Sequence, residues 1–134
     1  PFFLYVPFTA PHAPFQGPRD RHDRPLPADS PLWQQSKAPP EVYAAIVERM
    51  DEAIGRILAK LDETHCAERT LVIFTSDNGG TASARPTPFR GLKGSTFEGG
   101  VRVPCIIRWP NRLLEKTVTD SADAVNGADA VLLG

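Results

Sequence analysis

The sequence has too few cysteines, too little net charge and too short an apolar run for several classes of protein. Its two cysteines, Cys66 and Cys105, form no C-x-x-C pair and have no metal-ligand spacing, which argues against a disulfide scaffold or a zinc site. They leave the redox compartment open. Net charge is −1, from 15 basic and 16 acidic residues. The basic residues are dispersed, so no footprint for nucleic acid or an anionic membrane is present. The opening run Pro1-Phe2-Phe3-Leu4-Tyr5-Val6 lacks an initiator methionine and a charged leader, and it is too short for a signal peptide or membrane span. It reads as chain already inside a strand, so further sequence is expected upstream.

What is present is ordinary globular composition, 41% hydrophobic and 23% charged over 134 residues, enough for one compact domain and not for two. Three short runs rich in β-branched and aromatic residues read as buried strands: 2–8, 70–75 and 101–109. Between the first two, Val42, Ile46, Met50, Ile54, Ile57, Leu58 and Leu61 make one stripe at the helical period, predicting a helix from Pro40 to about Glu63. Pro39 and Pro40 suit its first turn. The opposite face carries Glu48, Arg49, Glu52, Arg56 and Lys60, and Glu52 with Arg56 has i,i+4 spacing. Strand, helix, strand implies a right-handed crossover, so the expected class is α/β with mostly parallel strands.

Two long connections remain, a proline-rich loop over 14–40 and a glycine-rich one over 78–100. Compact domains rarely keep such loops without a functional reason. In open α/β sheets ligands bind just beyond the carboxyl ends of strands. Both loops leave from such ends, so chemistry is sought there.

The first strand runs into Thr9-Ala10-Pro11-His12, with Pro11 and Pro14 stiffening the backbone around the histidine. A fixed imidazole there can bind an oxyanion or give a proton to a leaving group. A histidine hydrogen-bonded in a turn is the plain alternative. The second strand ends in Ser76-Asp77-Asn78-Gly79-Gly80, whose oxygens suit a hard cation such as calcium or magnesium. Asp, Asn and Gly are also the commonest turn formers, and without further context the turn prevails. In Arg90-Gly91-Leu92-Lys93-Gly94-Ser95, glycines allow close backbone approach and Lys93 offers a cation, although the Walker spacing is absent. Arg90 and Arg102 read as structural ion-pair partners, and His22 and His65 as solvated loop residues.

Taken together, these strings resemble the sulfatase family of the alkaline-phosphatase-like superfamily. The resemblance runs from Pro1 to about Trp109 and rests on four features. They are Phe-Phe-Leu-Tyr-Val with Thr-Ala-Pro-His, a helix bearing Met50-Asp51 and Ile54-Gly55, Ser-Asp-Asn-Gly, and Gly-Leu-Lys-Gly-Ser-Thr-Phe-Glu-Gly-Gly-Val-Arg-Val-Pro. It implies a partial alkaline-phosphatase-like sheet over residues 1–110 and metal-dependent cleavage of a sulfate ester. His12 matches the histidine that contacts the ester and protonates the leaving alcohol. Lys93 matches the lysine on the sulfate, and Asp77 and Asn78 match two oxygen ligands to a divalent ion, usually Ca2+ (Mg2+ being possible).

The family nucleophile is a formylglycine made from the first residue of Cys/Ser-x-Pro-x-Arg. Cys66 precedes Ala67-Glu68-Arg69 and Cys105 precedes Ile106-Ile107-Arg108, so neither fits, and both read as small apolar fillers. The nucleophile and the paired aspartates that complete the metal shell are expected upstream. The 134 residues alone are expected neither to hold calcium tightly nor to turn over sulfate esters. From Asn111 onward the pattern departs, so 111–134 reads as a divergent tail.

Aryl sulfate and sulfated glycan stay open as substrate, and the sequence sets no oligomeric state. The family implies an extracytoplasmic location. Two other readings remain: a phosphonate or phosphodiester hydrolase of the same superfamily, separated by the motif upstream, and a non-catalytic remnant that keeps the fold. An isolated piece of such a sheet is expected to expose sheet edges that missing strands normally cover, and so to be poorly soluble.

Overall fold

A computed structural model describes residues 1–17, 27–30, 33, 35 and 37–113. The chain divides into two compact units, residues 1–56 and 57–134. Helix α1, Pro40–Glu63, contributes to both and has the bounds that the apolar period predicts.

In the first unit, the amides of Val42 and Tyr43 donate to the Pro39 carbonyl at 3.1 and 3.0 Å, opening α1 with Pro40 in its first turn, where a missing N–H costs nothing. Glu41 in the first turn and Lys60 in the last complement the helix dipole. The predicted Glu52–Arg56 pair is replaced by Arg49–Glu52 at 2.7 Å, one turn the other way. Both side chains are more than half exposed (63% and 54%), so the pair contributes only a few tenths of a kcal/mol. The inner face of α1 meets a small core of Phe15, Ala38 and Ile46, flanked by Ala10, Ala13, Val42 and Tyr43. Phe15 and Tyr43 pack edge to face with centroids 6.2 Å apart. Burial pushes the Tyr43 phenol up from its usual pKa, because the phenolate would lose water there.

Residues 2–8, read from sequence as a strand, form no ladder among the described residues. Phe3 is 92% exposed and Tyr5 76%. The physical reason is that β-propensity only suits a residue to a ladder; backbone partners must come from elsewhere in the chain. Of the proline-rich loop, residues 18–26, 31, 32, 34 and 36 lie outside the described residues, and His22 with them.

In the second unit, α1 ends in a Schellman motif. The Cys66 amide donates to the Leu61 carbonyl at 2.9 Å and the His65 amide to Asp62 at 3.0 Å. His65 takes the left-handed position, with φ 54°, and is exposed. A 3-10 turn over Ala67–Arg69 leads into strand β1, Val72–Thr75.

Strand β1 pairs with β2, Cys105–Arg108, in antiparallel register: Val72 with Arg108, Ile73 with Ile107, Phe74 with Ile106 and Thr75 with Cys105. The parallel pairing expected between 2–8 and 70–75 has no counterpart among the described residues, whose one pair of strands is antiparallel. The register gives the reason. Thr75 faces Cys105, so the 76–104 connection starts and returns at one end of the sheet instead of crossing its face. The predicted third strand is also shorter, because Glu98–Val101 is a one-turn helix, α2, preceding β2. Apolar side chains stand on both faces of this ribbon, Ile73 58% and Ile106 41% exposed, the composition of a sheet built to be covered on both sides.

Beyond β2, the Arg112 and Leu113 amides donate to the Trp109 carbonyl, and Asn111 holds a positive φ of 62°, a position where Asn substitutes for Gly. Of the expected tail 111–134, residues 114–134 lie outside the described residues.

Candidate active site

His12 lies in the first unit, in a turn closed by its own amide donating to the Thr9 carbonyl at 2.8 Å. Ala10 and Ala13 on either side pack against the Phe15–Ile46 core, which fixes the turn on α1 while His12 itself is exposed. Its Nδ1 is 2.8 Å from the Ala13 carbonyl oxygen. A carbonyl only accepts, so Nδ1 carries the proton, and Nε2 is the nitrogen left to exchange a proton with a ligand.

The other predicted residues fall within the second unit. Asp77 and Asn78 form the bend directly after β1, Asp77 exposed and Asn78 half-buried. The Ser76 hydroxyl donates to the Asn78 backbone carbonyl at 3.1 Å. A carboxylate and an amide oxygen are hard donors of the kind calcium and magnesium take. Among the described residues no group of three or more His, Cys, Asp or Glu gathers to hold a metal. By donor type the pair fits a hard cation, and two oxygens would be only part of a shell that normally needs about six to eight.

Lys93 is tied to that bend through the backbone. Its amide donates to the Gly80 carbonyl at 2.9 Å, and the Gly79 amide donates to the Gly100 carbonyl at 2.9 Å. The two glycines that follow Asp77-Asn78 thus hold both the lysine turn and α2. Such contact needs bare backbone: a Cβ on Gly79 would lie 2.7 Å from the Gly100 carbonyl carbon and nearer still to the Gly99 oxygen. The turn itself uses Gly91 and Gly94 with φ of 86° and 90°, values that L side chains rarely adopt. Lys93 is exposed, so its ammonium keeps access to a ligand.

Arg90 and Arg102 take structural positions. The Arg90 guanidinium lies 3.9 Å from the Phe97 ring centroid, and that of Arg102 lies 4.9 Å from Phe89 while pairing with Glu98 at 3.0 Å. Sequence reasoning missed the aromatic partners and the backbone role of the Gly79-Gly80 and Gly99-Gly100 doublets. The doublets themselves were the available signal, since paired glycines bracketing a candidate site mark close backbone approach. Cys66 and Cys105 are free, half-buried thiols.

Residues 1–131 match the family profile for sulfatases, and the chain belongs to the sulfatase family. The match runs past Trp109 into the tail. The chain is 49% identical over 81 residues to the steryl-sulfatase of Mus musculus, covering 53% of this chain and 13% of that protein. It is 35% identical over 132 residues to a sulfatase of Formosa agariphila, covering 92% of this chain and 23% of the relative. Against the N-acetylgalactosamine-6-sulfatase of Homo sapiens it is 34% identical over 131 residues, covering 93% and 23%. The chain thus spans less than a quarter of the length of each of these relatives. The family carries an alkaline-phosphatase-like α/β fold, the class expected from the strand and helix pattern. Among the described residues, no helix is long and apolar enough to cross a membrane.

Proposed function

We propose that this chain is part of the catalytic domain of a sulfuric ester hydrolase, and that it supplies a proton donor, a sulfate-binding cation and two metal ligands to the site. The observation that carries the reading is the backbone lacing of the Lys93 turn onto the Asp77–Asn78 bend, through Lys93 N–H to Gly80 and Gly79 N–H to Gly100. It keeps the backbone of Lys93 beside the bend that carries the two oxygen donors, so that the ammonium and a metal ion held by those oxygens would both face an anionic sulfuryl group. Two functions must be met in S–O cleavage: charge on the sulfuryl oxygens has to be offset, and the departing oxygen needs a proton.

Lys93 does the first by bringing its ammonium to the sulfuryl oxygens. As a compact cation on a flexible stem, it adapts to a tetrahedral anion better than a planar guanidinium would. His12 does the second. With Nδ1–H committed to the Ala13 carbonyl, the charged ring carries its transferable proton on Nε2, which passes to the leaving alcohol as the bond to sulfur breaks. Asp77 and Asn78 would hold the divalent ion, calcium with magnesium as the alternative. When bound, that ion supplies charge neutralisation at the reacting group.

Cys66 and Cys105 do not stand in the nucleophile motif, so the formylglycine belongs in our reading to a part of a longer protein outside these 134 residues. The segment alone is accordingly inactive. Residues 2–8, with their exposed apolar side chains, add a parallel strand to the sheet in that longer protein, and residues 1–110 form its catalytic portion. The substrate is an aryl sulfate or a sulfated glycan, and the location is outside the cytosol, as for the family at large.

The test uses the full-length protein. His12→Ala and Lys93→Ala should each lower turnover of 4-nitrophenyl sulfate by about 10² to 10⁴, the range of a general acid or an electrostatic contact. Turnover within a few-fold of the unmodified protein would remove either residue from its role.

A further inference from the structure

We propose that two nested arginine–aromatic pairs, Phe89 with Arg102 and Arg90 with Phe97, are positioning residues that hold the Lys93 turn in register with the Asp77–Asn78 bend. The inference rests on the reading of Lys93 as the sulfate-binding cation and adds how that side chain is held.

The stretch from Arg90 to Phe97 is a loop whose ends must be closed for Lys93 to have a fixed base. Backbone closure comes from the Gly99 amide donating to the Arg90 carbonyl at 2.8 Å. Around that bond stand the two side-chain pairs. In the inner one the Arg90 guanidinium lies over the Phe97 ring, 3.9 Å from its centroid; in the outer one Arg102 lies over Phe89 at 4.9 Å. Each side of the loop gives one arginine and one ring, so neither side can slide without unstacking a pair. Arg102 is further oriented by Glu98, one turn earlier on α2, at 3.0 Å. A Cβ on Gly99 would lie 2.9 Å from the Arg90 carbonyl oxygen, so the two strands of the loop base are in backbone contact.

These pairs sit at the surface, with Phe97 43% and Phe89 36% exposed, where a guanidinium–ring contact adds little to global stability. Their effect is local: they restrict a short loop that bonds the metal bend through Lys93 N–H and Gly80. A lysine on a loosened base spends less of its time within reach of the sulfuryl oxygens, and small misplacements of such a group reduce rate strongly.

The experiment is a double-mutant cycle in the full-length protein, with 4-nitrophenyl sulfate as substrate and amide hydrogen exchange at Lys93 as a second readout. Phe97→Leu removes the ring face and should lower kcat/KM by about threefold to tenfold, chiefly in kcat, and speed exchange of the Lys93 amide. Phe97→Tyr keeps the ring face and should restore both readouts to within about twofold. In a Lys93→Ala background Phe97→Leu should cost less than about twofold, because the residue it positions is gone. Arg90→Gln serves as a second variant from the other side of the same pair and should follow Phe97→Leu. The proposal is overturned if the two losses multiply in the double variant, or if Phe97→Leu and Arg90→Gln leave turnover and Lys93 exchange unchanged. Should Lys93→Ala itself prove harmless, the sulfate-binding role of Lys93 falls, and the exchange rate at Lys93 alone then decides whether the pairs hold the turn.

Discussion

Gly79→Ala offers a sharp test of the backbone lacing, because its cost follows from distances alone. Gly79 has no positive φ to maintain, so the backbone would accept alanine; space is the obstacle. The added methyl would stand 2.7 and 2.8 Å from the carbonyl carbon and α-carbon of Gly100, atoms that cannot rotate away. The two backbones would have to part by at least roughly 0.7 Å to reach ordinary contact, and further to clear the nearer Gly99 oxygen. The Gly79 N–H to Gly100 bond, now 2.9 Å, would then stretch to about 3.6 Å or more, beyond hydrogen-bonding distance. A lost bond of about 1 kcal/mol and overpacking of about 1–3 kcal/mol give a destabilisation near 2–4 kcal/mol. Gly55→Ala is the matched control: it lies exposed within α1 with nothing within 4 Å of its would-be methyl, and should stabilise by about 0.5–1 kcal/mol through helix propensity. Urea unfolding of both variants reads the two signs, and amide exchange at Gly79 and Lys93 localises the first. If Gly79→Ala unfolds at the same urea concentration as the unmodified protein and leaves both amides protected, the close crossing of the two loops is refuted.

Two further outcomes are expected. Asp77→Asn keeps an oxygen donor but removes its charge, so the calcium concentration for half-maximal turnover in the full-length protein should rise by about tenfold before the calcium-saturated rate falls; an unchanged calcium requirement would remove Asp77 from the metal shell. Tyr43 has a folded-state pKa raised above 10.0 by burial, so the stability it confers is complete below that value and is lost as pH climbs through the raised one. The difference in phenolate absorbance between the unmodified protein and Tyr43→Phe should therefore show a midpoint above 10.0, and a midpoint at or below it would mean that Tyr43 is not desolvated.

Helix α1 was legible to the residue because its signals are local: an apolar stripe at the helical period, proline in the first turn and basic charge near the end. Its Schellman cap was not, since the left-handed position is filled by His65 where glycine would have announced it. Residues 101–104 read as strand from Val101, Arg102 and Val103, but backbone contacts of Gly99 and Gly100 wind the start of that run into α2, and only Cys105–Arg108 reaches β1. Residues 2–8 have strand composition without a described partner, a case in which propensity cannot supply the non-local half of a ladder. At the site, residue types alone left His12, Asp77 and Asn78 open between turn and functional roles and Lys93 between solvent and ligand, and only the resemblance to sulfatases assigned them roles. What no pattern in the sequence conveys is the lacing of two loops by main-chain bonds, because backbone amides look alike in every residue; the glycine doublets were its one trace.

The central claim is hydrolysis of a sulfate ester, and substrate choice by the full-length protein tests it most directly. Supplied with calcium, 4-nitrophenyl sulfate and bis(4-nitrophenyl) phosphate in parallel, the protein should release 4-nitrophenol together with an equal amount of inorganic sulfate from the first and turn over the second far more slowly. Preference for the phosphodiester, or 4-nitrophenol release without sulfate, would contradict the account.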